Sequence, residues 1–141
     1  MIAVDTNVLV YAHREELPQH ARAKAYLTKL AEGHNRWAIP VFCLGEFLRV
    51  LTHVKLWDPP FTAQEACSAI QNILASPSVS VLMPGPLYVN LLIENIHKSQ
   101  AIGNLLFDAQ IAALCLEHGV SHLVTEDRDF ARFPDLSCQK L

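Results

Sequence analysis

The sequence predicts an α/β layered fold carried by a mainly parallel sheet. Three observations predict it. Short β-type runs of three to five residues recur along the chain, and amphipathic stretches of helical spacing separate them. The punctuation between these runs is that of helix caps and loops, with no internal repeat and no low-complexity tract. At 141 residues, with no linker to divide it, the chain makes a single domain over residues 1–141.

Taken in order, "IAV" at 2–4 opens the sheet, and helical patterns follow at 7–13 and 20–32. "RWAI" at 36–39 is the second strand, followed by helices at 41–54 and 63–75. The latter helix starts at "FTAQE". Thr62 is its N-cap and Glu65 lies three residues on, a capping box in which each residue satisfies a backbone donor of the other. "VSVLM" at 79–83 makes the third strand, and helices at 86–98 and 104–118 lead to "HLVT" at 122–125. Gly119 closes the last helix as its C′ residue, where a left-handed backbone costs glycine little. "SCQKL" at the end offers a fifth strand, and "DPPF", "ASPS" and "MPGP" are loops.

Composition narrows the class. Hydrophobic residues make up 51% and charged residues only 18%, which implies a core-rich globule and excludes disorder. The start lacks the basic n-region of a signal peptide, and no apolar run reaches the ~18 residues of a membrane span, so a cytoplasmic location is expected. Cys43, Cys67, Cys115 and Cys138 lie far apart, resemble neither a zinc knuckle nor a disulfide framework, and are expected as buried thiols. A net charge of −3 argues against a broad surface that coats nucleic acid. It leaves room for an acidic centre flanked by a few cations that grip phosphate.

The carboxylates are distributed unevenly. "VTEDRDF", residues 124–130, packs three of them into four positions where a strand ends. Strand C-termini of an open parallel sheet share one edge, so Asp5 and Asp127 converge there if both strands are central. In "LLFDAQIAALCLEHG" the apolar stripe runs through Ile111, Ala112, Cys115 and Leu116, and at about 100° per residue Asp108 falls within it. A carboxylate facing a core is costly unless it is paired or bound to a cation; the alternative is that Asp108 caps a helix beginning there. Glu46 sits at the edge of its own stripe, beside Cys43 and Val50. If the four meet, each close pair repels by about 4 kcal/mol at ~4 Å and an effective dielectric of ~20. Several such repulsions rival the whole ~5–15 kcal/mol stability of a domain. Either some carboxyls stay protonated or a divalent cation neutralises them, and an all-oxygen ligand set favours Mg²⁺ or Mn²⁺ over zinc.

"DTNVLVYA" from Asp5, Glu46 on the third helix, "GNLLFDAQIAAL" around Asp108 and "TEDRDFARFP" from Thr125 together resemble a PIN domain, and most of all the VapC-type toxins of bacterial toxin–antitoxin pairs. The resemblance spans the whole chain, anchored by D-T-N near the start and T-x-D-x-D-F near the end. It implies a three-layer α/β/α sandwich whose central sheet has four to five strands. It also implies Mg²⁺- or Mn²⁺-dependent cleavage of RNA and a cognate antitoxin that blocks the site. Carried over residue by residue, Asp5, Glu46, Asp108 and Asp127 take the four catalytic, metal-holding positions, with Asp5 and Asp108 as the primary ligands. Thr125 takes the hydroxyl position, orienting Asp127 or a water. Asn7 supports the first motif and Asp129 the last, as an N-cap before Phe130, while Glu126 is expected to be solvated. Attack by water rather than by the ribose 2′-hydroxyl implies 5′-phosphate and 3′-hydroxyl ends.

Arg14, Arg128 and Arg132 flank this edge and are the expected grip on substrate phosphates, with Arg49 a weaker choice; the bland alternative for each is a solvated surface charge. Trp37 and Trp57 can stack bases, although packing is the simpler role. Apolar residues around Phe42, Leu44 and Phe47, and along 87–96, exceed what one helix face needs and suit a homodimer or an antitoxin helix in a groove. Two rival readings remain. A HAD-like phosphohydrolase needs a second acid where this chain has Asn7, and a non-catalytic RNA- or protein-binding module on the same fold would bind without cleaving.

Overall fold

The computed structural model describes residues 1–141, with five strands and six helices in the expected alternation. β1 (Ile2–Val4), β2 (Trp37–Pro40), β3 (Val79–Leu82), β4 (His122–Val124) and β5 (Cys138–Gln139) form one sheet in the order β3-β2-β1-β4-β5. Every pairing is parallel, with Ala3 opposite Ala38 on one side and Leu123 on the other. α1 (Thr6–His13) and α2 (His20–Glu32) join β1 to β2, and α3 (Val41–Leu51) and α4 (Ala63–Leu74) join β2 to β3. α5 (Tyr88–Ser99) and α6 (Leu105–Glu117) cross back to β4. A short 3-10 helix, Arg128–Arg132, precedes β5 and starts two residues earlier than the helix expected from Phe130.

Right-handed crossovers put α1 to α4 on one face of this sheet and α5 and α6 on the other, which makes the three layers. Packing agrees: α1 lies against α2 and α3, and α5 against α6. The pleat of β2 serves both faces, since Ala38 packs with Leu82 and Leu114 while Trp37 and Ile39 join the larger core with Val8, Phe47 and Leu123. Strand order reverses between β1 and β4. A crevice therefore opens at their C-terminal ends, and Asp5 and Asp127 stand just beyond them.

Local signals hold where they are strongest. Both bonds of the Thr62–Glu65 capping box form, at 3.1 and 3.2 Å, and Gly119 takes φ +62° behind α6. The helix expected over 41–54 stops at Leu51: Thr52 still bonds four residues back to Leu48, but the His53 N–H reaches Val50 three residues back, and a turn begins. α6 departs from its expected stripe: Ala109 and every residue from Ile111 to Cys115 are buried. It is wedged between the sheet, α3 and α5, so apolar residues are used all round it. Cys43 and Cys115 are buried as expected, but Cys67 on the outer side of α4 and Cys138 on the edge strand are exposed. Phe47 is fully buried and Phe42 and Leu44 lean on the core, so the apolar surplus of α3 is core. The surplus on α5 is surface, with Leu87, Val89 and Ile93 exposed.

Candidate active site

Asp5 anchors the site. It is the residue between β1 and α1, only 4% exposed, and caps the helix by accepting from the Thr6 N–H at 2.7 Å. Its other oxygen accepts from Asn7 Nδ2 at 2.7 Å and from the Thr125 hydroxyl at 2.6 Å, while the Cys43 thiol lies 3.8 Å from the first. Every donor is neutral. The Thr125 hydroxyl also accepts from Asn7 Nδ2 at 3.1 Å and from the Asp127 N–H at 3.0 Å, which ties the end of β4 to that of β1. Thr125 thus orients the Asp5 carboxylate and the Asp127 backbone, rather than the Asp127 carboxylate. Asp127, not Asp129, is the N-cap here: its Oδ1 accepts from the Asp129 N–H at 2.8 Å and starts the 3-10 helix.

The other acids gather around this pair. Asp5, Glu46, Asp108 and Asp127 line one cleft of about 340 Å³. Carboxylate oxygens of Asp108, Asp127 and Asp129 lie within 4.8 Å of one another, so Asp129 belongs to the tightest group and not to its margin. Asp108 stands in the first turn of α6, which Asn104 precedes as the cap residue, so Asp108 does not itself start the helix. Glu46 accepts from the Thr6 hydroxyl at 2.8 Å and has Arg49 at 3.6 Å, an exposed and therefore weak counter-charge.

Electrostatics follow from this crowding. Burial pushes the Asp5 carboxyl up to about 6, against the pull of the Thr125 and Thr6 hydrogen bonds and with a further push from Glu46 and Asp127. Burial pushes Asp108 up to about 7, helped by Asp127, Asp5, Asp129 and Glu46. The donor set fits a hard divalent cation: it offers several carboxylate oxygens from four separate segments, with little positive charge supplied by the chain.

Residues 2–136 match the family described as PIN domain. This chain belongs to the PIN-domain family. It is 37% identical over 133 residues to VapC ribonuclease Mb2897 of Mycobacterium bovis, covering 94% of this chain and 90% of that one. It is 32% identical over 136 residues to ribonuclease VapC33 of Mycobacterium tuberculosis, covering 96% and 94%. Among solved structures, VapBC2 of Rickettsia felis, bound to a DNA fragment from its promoter, has the same fold with a TM-score of 0.68. It covers 99% of this chain and 98% of its own at 24% identity. VapC20 of Mycobacterium tuberculosis, described as a sarcin–ricin loop cleaving toxin, gives 0.66 at 19% identity and covers 93% of both chains. Within its family the chain falls with the VapC ribonucleases.

The cations of this PIN domain fall less simply than its acids. Arg14 is buried: its Nε donates to Glu16 at 2.8 Å and its Nη2 to the Pro59 carbonyl at 3.1 Å. It is built into the loop 52–61 and is not free to grip a phosphate, which corrects the expectation. Arg132 is exposed, but its guanidinium donates to the Ser99 carbonyl at 2.7 Å and fastens the 3-10 helix to the end of α5. Arg128 is exposed beside the acids. Glu126 is not merely solvated. It accepts from the Leu141 N–H at 2.9 Å, and its own N–H donates to Asn7 Oδ1 at 3.3 Å. The Asn7 amide holding Asp5 also removes the ground for a HAD-like site, which needs an acid there.

Thr6, whose hydroxyl holds Glu46, and Tyr11 both escaped the sequence reading. Tyr11, in the second turn of α1, lines the acid cleft, where burial pushes its phenol up, with Glu126, Asp5 and Asp127 adding to the effect. Six positions at about 100° each put it about 120° round the helix from Asp5, so the spacing gave no signal for it.

Proposed function

We propose that this PIN-domain protein is an endoribonuclease that hydrolyses RNA with a divalent cation, Mg²⁺ or Mn²⁺, held by Asp5, Glu46, Asp108 and Asp127, with Asp129 beside them. One observation carries the reading: acids from four separate segments share a single cleft and make one ion pair among them, the exposed Glu46–Arg49 contact, and the buried member is locked in place by neutral donors. Similarity to the VapC ribonucleases supports the substrate class. The cation, when bound, neutralises charge on the phosphate and lowers the pKa of water. The chain's own residues do the rest. Thr6, Asn7 and Thr125 fix the rotation of the Asp5 carboxylate, so that it meets substrate without reorganising. Asp5 and Asp108 would hold the cation as carboxylates, and Glu46 or Asp127, at the edge of the same cleft, takes the proton from the attacking water. Arg128 is the exposed cation best placed to meet a substrate phosphate, with Arg132 secondary.

The partner implied is a protein antitoxin that covers this cleft, with the cytoplasm as the place of action and a homodimer as the working form. The exposed apolar side of α5 supports a contact between copies, and light scattering at two concentrations reads it. The activity is tested on total cellular RNA with Mg²⁺, Mn²⁺ or chelator, mapping the new ends. Expected are cation-dependent cuts that carry 5′-phosphates and 3′-hydroxyls. Cuts that persist in chelator, or 2′,3′-cyclic phosphate ends, contradict the mechanism; binding without any cut would leave a non-catalytic module.

A further inference from the structure

The acid cleft has a second wall that phosphate hydrolysis does not call for. Tyr11, Leu17, Leu56 and Trp57 line the same cleft as the carboxylates. Leu56 is 54% exposed, and Trp57 is partly so. The indole is held firmly for a surface ring: its N–H donates to the Val50 carbonyl at 2.7 Å, and the Arg14 guanidinium lies 4.4 Å from the ring centre. Arg14 also stands 5.2 Å from the Phe61 ring and is tied to Pro59, so one buried cation braces both aromatic residues of the loop. The residue that sequence alone offered as a phosphate grip works behind an aromatic ring.

We infer that this wall is a subsite for one unpaired nucleobase beside the scissile phosphate, with Trp57 as its stacking surface. The inference rests on the RNA-hydrolase reading and adds the part of the substrate which that reading leaves unassigned. A nucleotide joins an anionic phosphate to a planar, weakly polar base through a single sugar. A cleft with carboxylates for a cation on one part and an aromatic, apolar wall on the other matches both ends of that unit. Bases inside a duplex are already stacked on their neighbours, so such a wall selects single-stranded or looped RNA. An apolar side chain of a protein partner is the other group that such a wall could take. Its sharing of one cleft with the acids favours the base.

The test uses the full chain and small probes, with Mg²⁺ present. The protein has two tryptophans, and Trp37 is only 1% exposed, so quenching by a ligand reports Trp57. Each of the four nucleoside 5′-monophosphates is expected to quench the fluorescence and to bind roughly tenfold or more tightly than ribose 5-phosphate, which has no base to stack. Trp57→Ala should hold nucleotides no better than ribose 5-phosphate. Trp57→Phe should keep most of the preference while its fluorescence, now from Trp37 alone, no longer responds. Leu56→Ala, at an exposed position, weakens the preference without touching the Arg14 brace. Equal affinities for nucleotides and ribose 5-phosphate in the wild type, or no binding of either, overturn the inference. So does an unchanged rate, with an unchanged share of cuts at unpaired positions, when Trp57→Ala cleaves total RNA. Wild-type cleavage in that assay separates the two levels: cuts without any role for Trp57 sink the subsite alone, and no Mg²⁺-dependent cut sinks the hydrolase reading with it.

Discussion

At the start of α4, Thr62 accepts from the Glu65 N–H, and Glu65 returns the bond to the Thr62 N–H. At the start of α1, Asp5 accepts from the Thr6 N–H in the same manner. Both are N-caps, yet their surroundings set them apart. Thr62 lies in water and its cap is a net gain. Asp5 is buried among Glu46, Asp108 and Asp127, and its carboxyl is driven up to about 6. The same local rule thus stabilises the fold at the start of one helix and stores like-charge repulsion at the start of the other. Concentrated repulsion that neutral donors hold in place is what a cation site requires before the cation arrives.

The largest effect is expected from removing a carboxylate of the acid cleft, set against loss of the ordinary cap at Thr62. Asp108→Asn is expected to lower Mg²⁺-dependent RNA cleavage by at least ~100-fold, whereas Thr62→Ala leaves it unchanged; initial rates on total RNA check both. Next in size is Thr125→Val, which keeps the shape but removes the hydroxyl that donates to Asp5 and accepts from Asn7 and the Asp127 N–H. Leaving those buried groups short of a partner should cost about 1–3 kcal/mol in urea unfolding and reduce cleavage as well.

The sign of the pH dependence sharpens the contrast. Asp5 and Asp108 titrate near 6 and 7 when folded and near their ordinary 3.8 when unfolded. Between about pH 4 and 7 the folded chain therefore binds more protons than the unfolded one, so stability falls as pH rises. Without metal, the protein should melt higher at pH 5 than at pH 8, and Mg²⁺ should narrow the gap at pH 8. Melting curves in chelator read this directly. The smallest effect belongs to the ordinary cap: Thr62→Ala should cost ~1 kcal/mol with no change in that pH trend.

Those two caps also show what the sequence made legible. Thr62 and Glu65 announce α4 within four residues, and short apolar runs between helical stretches announce the parallel sheet, because both signals are local. Asp5 and Asp127 were placed correctly at the edge because strand ends share one edge whatever the loops do. Asp108 reached the cleft for another reason than its stripe, since Ile111 to Cys115 are all buried and leave no single apolar face to read, while Leu106 and Phe107 beside Asp108 are exposed. Arg14 was misjudged because its partners, Pro59, Trp57 and Phe61, lie over forty positions away. Asp129 was undervalued because a 3-10 helix of five residues has too short a period to recognise, and that turn is what swings the carboxylate toward Asp108 and Asp127.

The central claim is that the acids of this cleft repel one another until a divalent cation joins them. The measurement closest to it is the melting temperature of the wild type and of Asp108→Asn, each in chelator and in saturating Mg²⁺. The variant should melt above the wild type in chelator, and the wild type should gain far more from Mg²⁺, about 2.7 kcal/mol at a hundredfold excess over its dissociation constant. A variant that melts lower without metal, together with equal Mg²⁺ gains in both proteins, would contradict it.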